Sequence, residues 1–352
     1  MNSIVQDDIK RILQEPLPWQ SFAGAEVLVT GAAGFLPAYM VETLMFLNRF
    51  VLSKPAKVSA LVRNEERAMA RFAEYQGRDD LRILVQNVSD PLRVSTPFDY
   101  IIHAASNASP VAYLADPAGT ISANMLGTYH LLNAAAQNKA CQGFLFFSSG
   151  EVYGAVKGGP TPLAENEGGF LDPLGPRACY GEGKRAGETM CASWARQYGV
   201  PARIVRPGHT YGPRMRLDDG RVYADFVRDI LNGGPINMLS DGSARRPFCY
   251  LADATTAFFT VLLKGEAGQA YNVVNPDAEC SIAELADRLA VLYKDEGIYV
   301  KRFKNPDMNS VQSAHSGTPV SAEKLRSLGW RSRTTIEEGF KRTVDSYRST
   351  EQ

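Results

Sequence analysis

Short apolar runs alternate with longer amphipathic segments along the first two thirds of the chain. The apolar runs predict parallel strands at residues 27–29, 58–62, 81–85, 100–103, 143–147 and 202–205. Helices are predicted between them at about residues 36–50, 64–76, 119–138 and 178–198. This alternation is typical of a doubly wound parallel sheet, so the predicted class is an α/β Rossmann fold.

The pattern changes after residue 206. Loops rich in glycine, proline and arginine are followed by shorter strands and helices, which indicates a smaller α/β substrate domain interleaved with the sheet. A short helix at residues 7–14 precedes the first strand. The predicted units are an N-terminal helical extension, a Rossmann domain and a substrate domain. Their limits are 1–20 for the extension, 21–207 with 232–262 for the Rossmann domain, and 208–231 with 263–352 for the substrate domain.

Composition narrows the class of protein. The 352 residues are 45% hydrophobic and 22% charged, and the formal net charge is zero, which argues against nucleic-acid or membrane partners. No apolar run approaches the ~18 residues of a spanning helix, and the N-terminus lacks a signal-peptide core. The five cysteines are scattered, which favours free thiols in a reducing, cytoplasmic setting. The four histidines show no ligand spacing, so no metal site is predicted.

A glycine-rich loop follows the first predicted strand. Gly31 permits a tight turn, and Gly34 lets the backbone approach a pyrophosphate at a helix N-terminus. Pro37 stands where the third glycine of the fingerprint usually falls, and it fits the first turn of a helix. With the helix and strand that follow, this loop predicts a dinucleotide site that includes Phe35 and Leu36.

Tyr180 and Lys184 lie four residues apart, on one face of a predicted helix. We expect the ammonium to lower the pKa of the phenol, so that Tyr180 exchanges a proton with a substrate alcohol near neutral pH. Ser149, at a strand end, can hold the same oxygen. A tyrosine–lysine pair is common on helix surfaces, but beside a dinucleotide loop it predicts hydride transfer with NAD or NADP.

Longer segments carry a family resemblance. They are His103-Ala-Ala-Ser-Asn-Ala-Ser-Pro110, Asn124-Met-Leu-Gly-Thr128, Ser148-Ser-Gly-Glu-Val-Tyr-Gly154, Gly175-Pro-Arg-Ala-Cys-Tyr-Gly-Glu-Gly-Lys-Arg185, Tyr211-Gly-Pro-Arg-Met215, Asp218-Asp-Gly-Arg221 and Arg246-Pro-Phe-Cys-Tyr250. Over about residues 24 to 348 the chain resembles the extended short-chain dehydrogenases of the nucleotide-sugar epimerase/dehydratase family. Among them it is most similar to the UDP-glucuronate decarboxylases.

The resemblance implies a role for each matching residue. The implied catalytic residues are Tyr180, Lys184, Ser149 and Glu151. The implied cofactor residues, beyond the glycine loop and the Tyr180/Lys184 pair, are Arg63, Asn87, Val88, Ala104, Ala105, Ser106 and Asn124. The implied substrate residues are Ser109, His209, Arg214, Arg221 and Arg246. Arginines suit a diphosphate because guanidinium binds its oxygens bidentately.

The chain also departs from the family pattern. Arg63 follows the second strand, where NAD-preferring relatives usually carry an acid, and an arginine there can accept the 2′-phosphate of NADP. Asn87 replaces an aspartate that touches adenine, and His209 replaces an asparagine that faces the sugar. Gly150 stands where 4,6-dehydratases place an acid. Residues 309–317 lack an arginine often found in that segment.

The leading hypothesis is oxidation of a nucleotide sugar at C4 by bound NAD(P), reaction of the 4-ketone, and return of the hydride. With a carboxylate at C6 this sequence gives decarboxylation, and without one it gives epimerisation. A net NADPH-dependent 4-ketosugar reductase and a non-catalytic NAD(P)-binding scaffold are the alternatives. The expected partner is a nucleotide diphosphate sugar.

A homodimer is also expected. The helices at 119–138 and 178–198 carry apolar residues on more than one face, and a second apolar face must be buried. The residues concerned are Met125, Leu131, Leu132, Met190 and Trp194. In the resembling family these helices pair across a two-fold axis.

Overall fold

The computed structural model describes residues 2–156, 159, 161–303 and 318–349. The segment 309–317, which drew attention in the sequence, lies outside the described residues. Within the described part the strands are β1 (Glu26–Thr30), β2 (Lys57–Val62), β3 (Leu81–Val85), β4 (Tyr100–His103), β5 (Gly143–Phe147), β6 (Ala202–Pro207), β7 (His209–Tyr211), β8 (Ile236–Met238), β9 (Arg245–Tyr250), β10 (Ala270–Val273), β11 (Glu279–Ser281) and β12 (Val300–Arg302).

Seven parallel strands form the central sheet, in the order β10-β6-β5-β4-β1-β2-β3. Every residue of β4 and β5 is buried, as expected for a sheet with helices on both faces. The predicted doubly wound Rossmann fold is confirmed, and all six predicted strands belong to this sheet.

The seventh strand corrects one predicted boundary. The sequence placed residues 263–352 in the substrate domain, but β10 pairs with β6 as the edge of the central sheet. The polar Asn272 interrupts the apolar run of this four-residue strand, so the pattern did not indicate a strand there. The remaining division into domains stays a prediction.

Two small sheets follow β6 in the chain. One joins β11, β9 and β7, and the other pairs β12 with β8. Their strands are three to six residues long. Strands and loops of this region, including His209 and Arg246, line the cleft described below.

The helices surround the sheet. They are α1 (Ser3–Leu13), α2 (Phe35–Phe50), α3 (Glu65–Arg71), α4 (Pro110–Ala115), α5 (Pro117–Ser122), α6 (Thr128–Gln137), α7 (Ala178–Tyr198), α8 (Val222–Leu231), α9 (Leu251–Lys264), α10 (Ile282–Leu292), α11 (Glu323–Ser327) and α12 (Ile336–Arg348). No helix among the described residues is both long and apolar enough to cross a membrane.

The predicted helix at 119–138 is interrupted. A π turn at Ala123–Gly127 separates α5 from α6. Thr128 donates a hydrogen bond from its side chain to the carbonyl of Asn124 at 2.5 Å. The turn packs closely on α7, because a Cβ added at Gly183 would lie 3.1 Å from the Cβ of Asn124. Wide turns of this kind often occur at functional sites.

The apolar faces of these helices also differ from the expectation. Leu131 and Leu132 are fully buried in the core against the sheet, so they form no second face. The exposed apolar residues of this region are Met125, Leu126 and Tyr129. The ring of Tyr129 meets Trp194 of α7 edge to face at 5.8 Å.

The N-terminal extension packs into the main core. Val5, Ile9 and Ile12 of α1 are fully buried. Asp8 is buried with them and accepts hydrogen bonds from the hydroxyls of Tyr39 and Tyr250 and from the guanidinium of Arg342. Burial raises the pKa of Asp8, and these partners lower it.

Candidate active site

A cleft of about 1390 Å³ runs along the carboxyl ends of the parallel strands. It opens at β1 and β4, where the strand order reverses, which is the usual ligand position in open α/β sheets. Gly31 and Phe35 line it at the turn between β1 and α2, which we call the dinucleotide end. Tyr180 lines it from the first turn of α7, and Arg221 and Arg246 line it from the segments after β6, which we call the substrate end.

Backbone shapes the first end. Gly31 has a φ of 64°, and a Cβ added to it would lie 2.8 Å from the Cα of Ala105. Gly34 is the residue before α2, and a Cβ there would lie 2.9 Å from the carbonyl oxygen of Gly31. Phe35 and Leu36, the first residues of α2, line the cleft, so the N-terminus of this helix lies where anion sites at helix N-termini are found.

The remaining cofactor candidates lie along the same end, with one exception. Those that line the cleft are Phe35, Leu36, Arg63, Asn87, Val88, Ala104, Ala105 and Ser106. Asn124 lies behind it, and its side-chain nitrogen donates to the carbonyl of Thr120 at 3.0 Å. Within the described part of the chain, Ser106 Oγ and Asn124 Oδ1 are buried without a hydrogen-bond partner. The backbone around Gly31 and Gly34, which we call the dinucleotide cradle, leaves room for a pyrophosphate. The buried Ser106 hydroxyl, for which the described residues offer no hydrogen-bond partner, fits a polar group of a bound dinucleotide.

Tyr180, Lys184 and Ser149 line the same cleft and lie close together. Tyr180 is 7% exposed, and its phenol is hydrogen-bonded to Ser149. Lys184 is buried and donates from Nζ to the carbonyl of Phe147 at 2.6 Å. Its Nζ lies 5.7 Å from the centre of the Tyr180 ring. The carbonyl at the end of β5 thus fixes the lysine beside the tyrosine.

The electrostatics differ from the sequence expectation. Burial raises the pKa of Tyr180 to about 12; the hydrogen bond from Ser149 opposes this rise, and the Glu151 charge adds to it. Burial also lowers the pKa of Lys184 to about 7, against the Glu188 carboxylate, which raises it. Lys184 is not among the main influences on the phenol pKa, and its Nζ is bonded to the Phe147 carbonyl.

Glu151 belongs to a group that sequence reasoning found only in part. It lies in the turn Gly150–Tyr153 after β5, and its Oε1 is 3.0 Å from Nη2 of Arg177. The ring of Tyr113, from α4, stacks on Tyr180 at 5.2 Å. Arg177 stands three residues before Tyr180 in the chain, so the motif around Tyr180 could have pointed to it. Nothing local in the sequence distinguishes Tyr113.

The three predicted diphosphate arginines all line the cleft, but their partners differ. Arg221 binds Asp219 at 2.8 Å and the carbonyl of Ala108 at 3.1 Å. Arg246 donates to the carbonyl of Arg245 at 2.8 Å, and burial lowers its pKa.

Arg214 lines the cleft but also forms an ion pair with a buried carboxylate. It has a φ of 63°, and its guanidinium is 2.8 Å from Glu42, whose side chain is 1% exposed on α2. Arg71 lies 3.4 Å from the same carboxylate. Burial raises the pKa of Glu42, and the two arginines lower it. Arg214 therefore also compensates a buried charge.

Ser109 and His209 line the cleft as well. The hydroxyl of Ser109 accepts a hydrogen bond from the backbone N–H of Ala112 at 3.2 Å, which begins α4. The ring of His209 packs against Tyr223 and Phe248. Both residues therefore carry a structural contact in addition to their place on the wall.

Among the described residues no group of three or more histidine, cysteine, aspartate or glutamate side chains could hold a metal ion. All five cysteines are free, and three of them are buried.

A family model ties this geometry to known proteins. The model of the NAD dependent epimerase/dehydratase family matches residues 27–275. The chain belongs to this family. The matched range runs from β1 to just beyond β10, so it includes every strand of the central sheet.

Curated members of the family extend the similarity to nearly the whole chain. The chain is 31% identical over 325 residues to UDP-glucuronic acid decarboxylase 6 of Arabidopsis thaliana, covering 92% of this chain and 88% of that protein. It is 30% identical to UDP-glucuronic acid decarboxylase 1 of Xenopus tropicalis, covering 92% and 72%. The resemblance stated from the sequence is thereby confirmed.

Solved structures share the fold. A UDP-glucose 4-epimerase of Thermotoga maritima with UDP-glucose superposes with a TM-score of 0.74 at 25% identity, covering 93% of this chain and all of that one. A UDP-N-acetylglucosamine 4-epimerase of Methanobrevibacter ruminantium gives 0.77 at 23% identity, covering 93% and 99%.

Proposed function

We propose that this protein is an NAD(P)-dependent decarboxylase of a UDP-sugar acid resembling UDP-glucuronate. One observation carries the proposal. Tyr180, Ser149 and Glu151 line the same cleft as the dinucleotide cradle and the arginines Arg221 and Arg246. The curated relatives over nine tenths of the chain are named as UDP-glucuronic acid decarboxylases.

The binding roles follow from position in the cleft. The pyrophosphate of the cofactor would lie on the backbone of Gly31 and Gly34, at the start of α2. A bound nicotinamide supplies the hydride acceptor for oxidation at C4. Arg221 and Arg246 would hold the diphosphate of the sugar nucleotide, because their guanidinium groups line the opposite end.

Tyr180 and Ser149 carry the proton at C4. Once deprotonated, Tyr180 would take the proton of the C4 hydroxyl, while Ser149 holds the same oxygen by a hydrogen bond. Because burial raises the phenol pKa to about 12, this deprotonation would depend on the positive charge that a bound oxidised nicotinamide adds to the site. The resulting 4-ketone is β to the carboxylate carried on C5. The C5–C6 bond then breaks with loss of CO₂, and its electron pair moves towards the ketone oxygen, which Tyr180 and Ser149 stabilise. Glu151 would supply the proton that takes the place of the lost carboxylate on C5, and the hydride removed in the first step then returns to C4.

A 4-ketosugar reductase is the second candidate, because Arg63 follows β2 and lines the cleft where a 2′-phosphate would be read. Glu151→Gln separates the two. If the protein is a decarboxylase, or acts at C5 in another way, the variant completes the oxidation at C4 but not the proton transfer at C5. It then accumulates reduced cofactor, which is detected by its absorbance. A reductase variant consumes NADPH and a supplied 4-keto sugar at nearly the parent rate, and that result would replace the decarboxylase proposal.

The assembly proposed is a homodimer, and the compartment proposed is the cytoplasm. Support for the dimer comes from Met125, Leu126 and Tyr129, which are 40%, 49% and 45% exposed beside α7. Support for a reducing compartment comes from the five free thiols. Light scattering at micromolar concentration tests the dimer, and a mass near the 38.5 kDa of one chain would reject it.

A further inference from the structure

Tyr113, Arg177 and Glu151 form a connected group beside Tyr180. The Tyr113 ring stacks on that of Tyr180 at an interplanar angle of 15°. The Arg177 guanidinium lies over the other ring of this stack, 5.8 Å from the centre of Tyr113. It also reaches the Glu151 carboxylate at 3.0 Å. One guanidinium thus contacts both the stacked aromatic and the acid beside the reacting phenol.

Hydrogen bonds from the backbone tie Arg177 to Tyr180 and Glu151 to Ser149. Arg177 is the residue immediately before α7, and Tyr180 lies in the first turn of that helix. The backbone N–H of Tyr180 donates to the carbonyl of Arg177 at 3.2 Å. Glu151 comes from the turn after β5, and its backbone N–H is bonded to the hydroxyl of Ser149 at 3.2 Å. The ion pair therefore bridges the two elements that supply Ser149 and Tyr180.

Besides Arg177, Glu151 interacts electrostatically with two other residues of the cleft. Its charge acts on Tyr180, whose pKa it raises, and on Arg246, whose pKa it also raises. Both ends of the Arg177–Glu151 pair are about one-fifth exposed, at 24% and 21%, so a carboxylate without Arg177 has room to turn. A turn towards Arg246 would occupy the diphosphate arginine, and a turn towards Tyr180 would oppose deprotonation of the phenol.

We propose that Arg177 is a positioning residue, which aims the Glu151 carboxylate at the carbon end of the sugar and keeps it from Tyr180 and Arg246. The inference rests on the proposed function and assigns the step that the pair controls. Arg177 does not touch the reacting atoms. It acts on the proton transfer at C5 through Glu151, whereas the C4 proton passes through Tyr180 and Ser149.

The test compares Arg177→Met, just before α7, with a matched change at Arg185 on α7. Arg185 donates to the carbonyls of Val152 and Gly169, and so it ties α7 to the same region without touching Glu151. With UDP-glucuronate and the holoenzyme, Arg177→Met should slow CO₂ release by about 30-fold or more, in the range of a mispositioned acid–base group, and accumulate reduced cofactor. Arg185→Met should lower the melting temperature without accumulating reduced cofactor.

Three further measurements separate positioning from anchoring. Arg177→Lys should recover about one-third or more of the parent rate, because its ammonium still pairs with Glu151. Guanidinium ion should partly rescue Arg177→Ala but not Arg185→Ala. In a Glu151→Gln background, Arg177→Met should cost less than about threefold further, because coupled residues are not additive.

The outcomes distinguish the two proposals. A parent enzyme that releases no CO₂ from any UDP-sugar acid overturns the proposed function, and the Arg177 assignment with it. A parent enzyme that does release CO₂, with Arg177→Met and Arg185→Met behaving alike, leaves the function intact and overturns the positioning role. Full additivity with Glu151→Gln would do the same.

Discussion

The two ends of the cleft are built differently. At the dinucleotide end, the space exists because Gly31 and Gly34 lack side chains that would meet backbone atoms. At the substrate end, arginines from separate segments line the cleft, and Arg214 and Arg221 are engaged by residues distant in the chain. A backbone-built site can be read from a few adjacent residues, whereas a site built from side chains depends on partners distant in the chain.

The arginines illustrate this dependence. Arg214 and Arg246 both belong to motifs of the resembling family, yet Arg214 pairs with Glu42, 172 residues away in the chain. Arg246 donates to the carbonyl of its neighbour. Both are arginines of family motifs, and the buried partner of Arg214 distinguishes it from Arg246.

The largest expected effect lies where the two ends meet. Tyr180→Phe removes the group that exchanges the C4 proton, so turnover should fall by ~10²-fold or more. The backbone cradle around Gly31 is untouched, and cofactor titration should therefore give nearly the parent affinity. Retention of more than about one-tenth of the activity would defeat the assignment of Tyr180 as acid and base.

The arginine contrast is tested next. Arg214→Met leaves Glu42 buried with Arg71 as its remaining cation, so the free energy of unfolding should fall by about 3 kcal/mol. Arg246→Met removes a donor from the cleft wall, so KM for the nucleotide sugar should rise about 10-fold, the value of one charge-assisted hydrogen bond. Denaturant unfolding and steady-state kinetics measure both. Equal losses of stability would abolish the distinction.

Much of this organisation could be predicted from the sequence. The buried strands appear as apolar runs, and Tyr180, Lys184 and Ser149 meet because a helix spacing and a strand end fix them locally. β10 was missed because the polar Asn272 interrupts its short apolar run. The pairing of Arg177 with Glu151, the stack of Tyr113 on Tyr180 and the raised phenol pKa were inaccessible, because burial and contacts between separate elements create them.

Two glycines sharpen the backbone half of the comparison. Gly31 and Gly77 both have positive φ, at 64° and 79°, but only Gly31 has backbone atoms within 3 Å of an added Cβ. Gly31→Ala should therefore cost about 1–3 kcal/mol more than Gly77→Ala, the typical cost of overpacking. Cofactor affinity should fall only for Gly31→Ala. Matching losses in the two variants would mean that the strained φ, and not the close approach, explains the glycine.

Lys184 gives a pH-dependent test at the junction of the ends. Burial lowers its folded-state pKa to about 7, below the ordinary value of 10.5. The unfolded chain therefore binds more protons between these pH values, and stability should rise with pH in that window. From pH 7 to 8 the parent should gain up to about 1.4 kcal/mol relative to Lys184→Met. Parallel stability curves would show that the ammonium is not destabilised by burial.

Arg63 provides the test with the smallest expected effect. NAD and NADP would bind the same backbone cradle, so a difference in their affinities would come from a side chain near the ribose. Arg63 is exposed after β2 and donates to Oδ1 of Asn107 at 3.0 Å, at the rim of the cleft. Arg63→Asp should weaken NADP several-fold more than NAD, since an exposed charge contact contributes up to about 1 kcal/mol. Lys57→Asp makes the same charge change at the far end of β2 and should leave both affinities unchanged. A strict NAD preference in the parent, unaltered in Arg63→Asp, would mean that Arg63 points away from the ribose and that cofactor choice belongs to the backbone half of the cleft.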